Sequence, residues 1–434
     1  MMSVVEPQPI ARAAEPGKTG MAAGYTAAEE PSTAGEASLC SRYVPLCVWL
    51  IAFAALVCIP LKIASYGYLP ADDALRHAAK AVTQRPWSEI LVLRSDFTMD
   101  HNPGWHWVLG QVHRATGVGT DGLVVSSLVG LFLLAMAAPM VVLRRPEAWM
   151  GALLASTLMF PPVLFRVLLA RPFVVSMTAT LMVLLLWRRD DRQRPSAWIL
   201  GATALLLGVS AWVHGSWYLF ALVVAAFALA GQWRSACWLA GCWLAGSFAG
   251  ALLTGHPVGF LVNAIRIGLN CFSGDTLQRM LAFEFWPSDG NVLAVVAVSA
   301  LLLWRYVIGA WDWKCINNPI FVLSILGWIL GLRVSRFYYD WGAPALLLWV
   351  ALELSEHCGR LLRPNAPQRL AVTAAISLAL FFGITSDLNG RWTNTLFTEF
   401  LSESDPEMQP WLPESGGILY SSDMTVFYQT FFKN

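Results

Sequence analysis

Asp72 and Asp73, with Arg76 and His77 one helical turn further on, stand just beyond a long apolar run, Val44 to Ile63. A carboxylate pair at a membrane surface can take the proton from an attacking hydroxyl or hold a divalent cation. The plainer role is capping, in which an aspartate complements the positive end of a helix for about 1 kcal/mol. Capping uses one aspartate and needs neither Arg76 nor His77. Asp73, Arg76, His77 and Lys80 recur at i, i+3, i+4 and i+7, so a helix starting after Pro70 carries all four on one face.

A second polar stretch follows. Asp96, Asp100, His101 and His106 lie within eleven positions, interleaved with Trp105 and Trp107. The following stretch, 108–116, reads as a helix on or dipping into the membrane surface, with the tryptophans as interfacial anchors. Arg166 and Arg171-Pro172 bracket two apolar segments, where a guanidinium either snorkels to the interface or grips a phosphate. His214 sits in a very short turn, and Glu284 lies between aromatics as a candidate acid. Arg333 and Arg336 interrupt an otherwise apolar stretch, with Asp340 as their nearest neutralising partner.

The elements that must position these groups are membrane helices. Apolar residues make up 56% of the 434 and charged residues 13%, with a mean hydropathy of +0.55. Soluble domains carry about twice that charge. The formal net charge of +1 and the lack of a long basic run give no support for a nucleic-acid partner. Eight cysteines at spacings that match no metal motif point to neither a zinc site nor a disulfide framework. With about 20 apolar residues per crossing, the spans fall near 43–62, 121–143, 149–165, 172–187, 197–213, 216–231, 235–254, 291–309, 318–332, 341–354 and 369–386.

About eleven spans put Arg144-Arg145, the basic cluster from Arg188 to Arg194, Arg234, and Arg360 to Arg369 on one side, together with the N-terminus. That side is the cytoplasm. The expected fold class is therefore an all-α polytopic membrane protein with a long first outer loop carrying amphipathic helices. Residues 1–42 read as a disordered cytoplasmic tail, 43–386 as the transmembrane domain with 63–120 as its catalytic outer loop, and 387–434 as a small outer appendage. Within the appendage, the run after Gly416-Gly417 reads as a short strand. No internal repeat and no phosphate-binding glycine loop are evident, which weakens two common transporter designs.

An acidic pair after the first span, followed by His101-Asn102-Pro103 before an amphipathic helix, resembles the GT-C glycosyltransferases. Protein O-mannosyltransferases and aminoarabinose transferases are of this type. The usual wording there is His-Pro-Pro, and Asn102 intervenes here. The resemblance implies transfer of a sugar from a polyprenyl-phosphate donor outside the cytoplasmic (inner) membrane. Asp72 or Asp73 would activate the acceptor hydroxyl, with a divalent metal at the pair as an option. Arg171, Arg333, Arg336 and His77 would face the donor phosphate. Asp96, Asp100, His101, His106, His214 and Glu284 would contact substrate. Two other classes stay open: a transporter or flippase for an anionic lipid, and a non-catalytic subunit docked to a membrane partner.

Overall fold

A computed structural model describes residues 37–70, 73–87, 99–159, 161–188, 191, 193–272, 283–363, 365–394, 406–407 and 409–411. Within them, regular structure is helical throughout. In chain order the main helices are α1 (Ala37–Ser65), α2 (Asp73–Thr83), α3 (Pro103–Thr116), α4 (Thr120–Val142) and α5 (Pro146–Met159). Next come α6 (Pro161–Val167), α7 (Phe173–Leu186), α8 (Ala197–Val213), α9 (Ala221–Leu229) and α10 (Trp233–Leu252). Helices α11 (Pro257–Phe272), α12 (Val292–Val307), α13 (Pro319–Gly331), α14 (Ala343–Leu361) and α15 (Gln368–Thr385) complete the set. A π-helical turn, Tyr338–Gly342, leads into α14.

Among the described residues, α1, α4, α10 and α15 are the four helices long and apolar enough to cross a membrane. The chain thus has the character of a membrane-embedded protein. The expected span 197–213 coincides with α8, and the other remaining spans hold helices with different bounds. The stretch 149–165 is divided, because Pro161 and Pro162 open a new helix after Met159. Proline lacks an amide hydrogen and crowds the preceding turn, so a helix ends before it. Helix α7 has 14 residues and α13 has 13, well short of the roughly 20 that cross a bilayer unaided. Helix α14 is long enough, yet it carries Glu353, Glu356 and Arg360. The expected tail boundary also moves, because α1 is already helical at Ala37.

Helix α2 begins at Asp73, as its spacing predicts, whereas α3 begins at Pro103, five residues before the expected start. Proline suits that first position, since its missing donor is an orphan there anyway. Asp72, Asp96 and the strand expected after Gly417 lie outside the described residues. The start of the expected appendage is seated on the bundle. Trp392 is fully buried, edge-on to Tyr68 at 5.2 Å, and its indole N–H donates to the Ile384 carbonyl.

The closest helix pair is α8 with α10. Gly246 and Gly250 form a G-x-x-x-G stripe against Ala204 and Gly208 of α8, and an added Cβ would lie 2.3 Å from the Ala204 carbonyl oxygen and 2.1 Å from that of Gly208. Helix α1 packs on α15, α5 lies between α14 and α15, and α4 packs on α7. Glu147 on α5 is fully buried and receives two hydrogen bonds from Arg369 of α15, at 2.8 and 2.9 Å. Gly246→Ala forces α8 and α10 apart and is expected to cost about 1–3 kcal/mol, read as a lowered thermal midpoint in detergent. Gly241→Ala, whose Cβ meets nothing within 4 Å, is expected to leave the midpoint unchanged.

Candidate functional site

Four arginines and three carboxylates meet where α2, the α6–α7 turn, segment 284–288 and the π-helical turn come together. Arg166, at the end of α6, donates from Nε and Nη2 to the two oxygens of Asp340, at 2.7 and 3.1 Å. Its Nη1 reaches Glu284 at 3.0 Å. Arg336 repeats the pattern, with Nε to Asp340 at 3.0 Å and Nη1 to Glu284 at 3.1 Å. Arg171 reaches Glu284 at 3.1 Å and lies 3.8 Å from Asp73, which pairs with Arg76 at 3.0 Å. Among the described residues the cluster thus holds four guanidinium groups and three carboxylates.

This network is built by local backbone choices. Ala170 is buried with φ of 55°, a left-handed conformation that costs a non-glycine residue about 1 kcal/mol or more. That reversal separates Arg166 from Arg171 and lets both turn toward Glu284. Asp340 follows Arg336 at i+4, a helical spacing that joins the pair across one turn. The Ser335 hydroxyl donates to the Glu284 carbonyl at 3.2 Å, tying the two segments together.

Burial alone would raise the Glu284 carboxyl, but Arg336, Arg166 and Arg171 outweigh it and hold its pKa at about 2. Glu284 is thus held as a carboxylate that gathers the guanidinium groups of Arg166, Arg171 and Arg336. Burial would likewise release the proton of Arg336, yet Glu284 and Asp340 push its pKa up and keep it charged.

A histidine chain adjoins the network. Asp100 lies 2.6 Å from Nδ1 of His106, and Nε2 of His106 lies 2.8 Å from Nδ1 of His77. An ionised carboxylate only accepts, so His106 must donate from Nδ1. With His106 neutral, its Nε2 accepts from Nδ1 of His77, which leaves a lone pair on Nε2 of His77. Among the described residues that atom has no hydrogen-bond partner. Burial, followed by the charges of Arg76 and its neighbours, pushes the His77 pKa well below the ordinary imidazole value. Asp100 is held down against its own burial by the hydrogen bond and charge of His106 and by the Asn102 amide. Gly104 allows this packing, since a Cβ there would meet the Trp212 ring at 2.6 Å.

Beside both clusters is a cavity of about 160 Å³ whose polar wall is His101, Asn102, His214, Ser216, Tyr218 and Arg336. It is smaller than the roughly 300–1,000 Å³ of pockets that enclose a drug-sized ligand, so it suits one polar group of a larger molecule. The Asn102 side-chain oxygen is buried with no hydrogen-bond partner among the described residues. His214 bonds to the Ser216 hydroxyl at 2.7 Å, and burial together with Arg336 brings its pKa down to about 3. The Gly215 amide donates to the His101 carbonyl at 3.1 Å, which pins the turn to the start of α3.

The structure thus brings together Asp73, His77, Asp100, His101, His106, Arg171, His214, Glu284 and Arg336. Arg333 stays apart: it is exposed and makes no ion pair among the described residues. Asp72 and Asp96 lie outside those residues. The ion pairing of Arg166 with Asp340 was the part hidden in sequence, where Arg166 read as a snorkelling or phosphate-gripping guanidinium and Asp340 as a neutralising partner for Arg333 and Arg336. Among the described residues, no three His, Cys, Asp or Glu side chains group as a metal site, and Asp73 is engaged by Arg76. The chain matches no family model, and no curated protein is similar to it in sequence.

His77 and His214 stay neutral in the fold but take up protons near pH 6.5 once unfolded. Below that pH the unfolded state binds more protons, so stability falls as pH drops, by up to about 1.4 kcal/mol per pH unit for each histidine. Thermal midpoints measured from pH 8 to 5 are expected to decline below about 6.5, and His77→Gln/His214→Gln is expected to flatten the decline.

Proposed function

We propose that this protein is a membrane-embedded glycosyltransferase that moves a sugar from a polyprenyl-phosphate donor to an acceptor hydroxyl. The observation that carries the reading is the convergence of Arg166, Arg171 and Arg336 beside a small polar cavity, with Arg336 belonging to both network and cavity. As the bond from the anomeric carbon to the phosphate oxygen breaks, charge accumulates on the departing phosphate. Cations fixed beforehand stabilise that charge without reorganising. Arg336 holds this position, and Arg166 and Arg171 are locked behind it by Glu284 and Asp340.

The acceptor oxygen bonds to the anomeric carbon and gives up its proton. Two groups are placed to take it. Asp73 pairs with Arg76 at 3.0 Å and lies 3.8 Å from Arg171. His77 has Nε2 open, with its tautomer set by His106 and Asp100. In this reading the eleven apolar segments all cross the cytoplasmic membrane, the N-terminus is inside, and the site faces outward. That face gives the donor lipid lateral access between helices.

The test is turnover of purified, lipid-reconstituted protein on a panel of polyprenyl-phosphate sugars. Arg336→Ala is expected to lower kcat about 100-fold, the usual loss for one charge-stabilising donor. His77→Gln and Asp73→Asn are compared in parallel, and the larger fall in kcat names the proton acceptor. Absence of turnover by wild type on every donor, alongside saturable lipid binding, would support the transporter or the non-catalytic subunit instead.

A further inference from the structure

Helices α7 and α14 each start at the arginine network and reach a second cavity, at which α7 ends and which α14 passes before its own end at Leu361. Helix α7 begins two residues after Arg171, and Leu184, Leu185 and Arg188 at its far end line this second space. Helix α14 begins three residues after Asp340, and Trp349, Glu353 and Glu356 line the same space. Fourteen helical residues cover about 21 Å, so the two polar regions lie at opposite ends of α7. The second cavity has a volume of about 920 Å³, large enough for a whole headgroup with part of its chain.

Its charges do not cancel evenly. Glu353 and Glu356 are both engaged by Arg305, which is 5% exposed, and Glu356 is also engaged by Arg360. Nε of Arg305 is buried with no hydrogen-bond partner among the described residues. Asp312 accepts the Lys314 amide at 3.0 Å. Three further cations face the cavity: Arg144 after α4, Arg188 after α7, and Lys314 before α13. None of the three makes an ion pair among the described residues. Loose basic anchors would be scattered along a membrane surface, whereas these come from three separate segments and converge on one space.

The remaining wall is apolar. Leu184, Leu185, Phe227 and Ile320 contribute to it. The indole N–H groups of Trp187 and Trp349 are already spent on the Thr203 hydroxyl and the Cys315 carbonyl, at 2.8 and 2.7 Å, so both rings offer only apolar faces. We propose that this cavity binds a phosphate-bearing anion, with Arg144 and Arg188 as its principal contacts and the apolar wall taking an attached acyl or prenyl chain. Guanidinium groups match phosphate oxygens in pairs, and weak hydration makes them easier to desolvate than ammonium groups. The site is separate from the proposed transfer reaction and stands whether or not that reaction occurs.

The test uses full-length protein, stripped of lipid in detergent and exposed to vesicles of phosphatidylcholine with or without phosphatidylglycerol. Retained lipid is read by native mass spectrometry. Wild type is expected to retain phosphatidylglycerol in preference to phosphatidylcholine. R144A/R188A is expected to retain about tenfold less, a loss of 1.4 kcal/mol. R144K/R188K keeps the charge without the paired geometry and is expected to fall between them. R363A removes an exposed cation outside the cavity and is expected to match wild type. Millimolar inorganic phosphate separates the sources. Saturable phosphate binding that R144A/R188A abolishes, without phosphatidylglycerol retention, keeps the anion site and makes its ligand a soluble phosphate. Equal phosphatidylglycerol retention by wild type and a folded R144A/R188A, with no phosphate binding, overturns the proposal. A loss in R363A as large as in R144A/R188A also overturns it.

Discussion

The structure depends on finding partners for charges that have left water. Asp340 and Arg166 are 6% and 8% exposed, and an isolated ion so placed would cost several kcal/mol. Each is tolerable because the other meets it through two hydrogen bonds, and Glu284 then binds the guanidinium groups of Arg166, Arg171 and Arg336 together. The requirement fixes geometry across the chain. It draws the ends of α6 and α7, segment 284–288 and the π-helical turn to one place, although Arg166 lies 118 residues from Glu284 and 174 from Asp340. The strained backbone at Ala170 persists because Arg171 on its far side is held by Glu284.

The same need acts at the other end of the bundle. Glu147 and Arg369 close α5 onto α15, and Arg305 is bound by Glu353 and Glu356. Between these polar ends the helices meet through small residues. Apolar side chains gain little by leaving lipid for protein, so close backbone contact and van der Waals packing hold such helices together. Gly246 and Gly250 against Ala204 and Gly208 are the clearest instance. The result is an apolar middle between two ends rich in paired charges.

The histidine chain shows how a fold creates a property absent from any single residue. His77, His106 and Asp100 belong to α2, α3 and the segment before α3. Once they are aligned, the acceptor-only carboxylate fixes the proton on His106, which fixes the one on His77. The lone pair of His77 faces outward from that chain as a consequence. Burial, then the positive charges of Arg76 and Arg171, keep the ring neutral.

Much was legible from the sequence alone. Hydropathy and the sparse charge established a helical membrane protein, and the long apolar runs located α1, α4, α10 and α15 within a few residues. Spacing after Pro70 placed Asp73, Arg76 and His77 on one helix face, because a period of 3.6 residues is a local property. The break at Pro161 is local as well, yet the apolar run around it masked the helix boundary. What the tertiary structure decided is which charges meet. Arg166 lies 174 residues from Asp340, and His77 lies 29 from His106. No short-range pattern encodes such pairs, since they follow from desolvation forcing distant ions together once the helices pack.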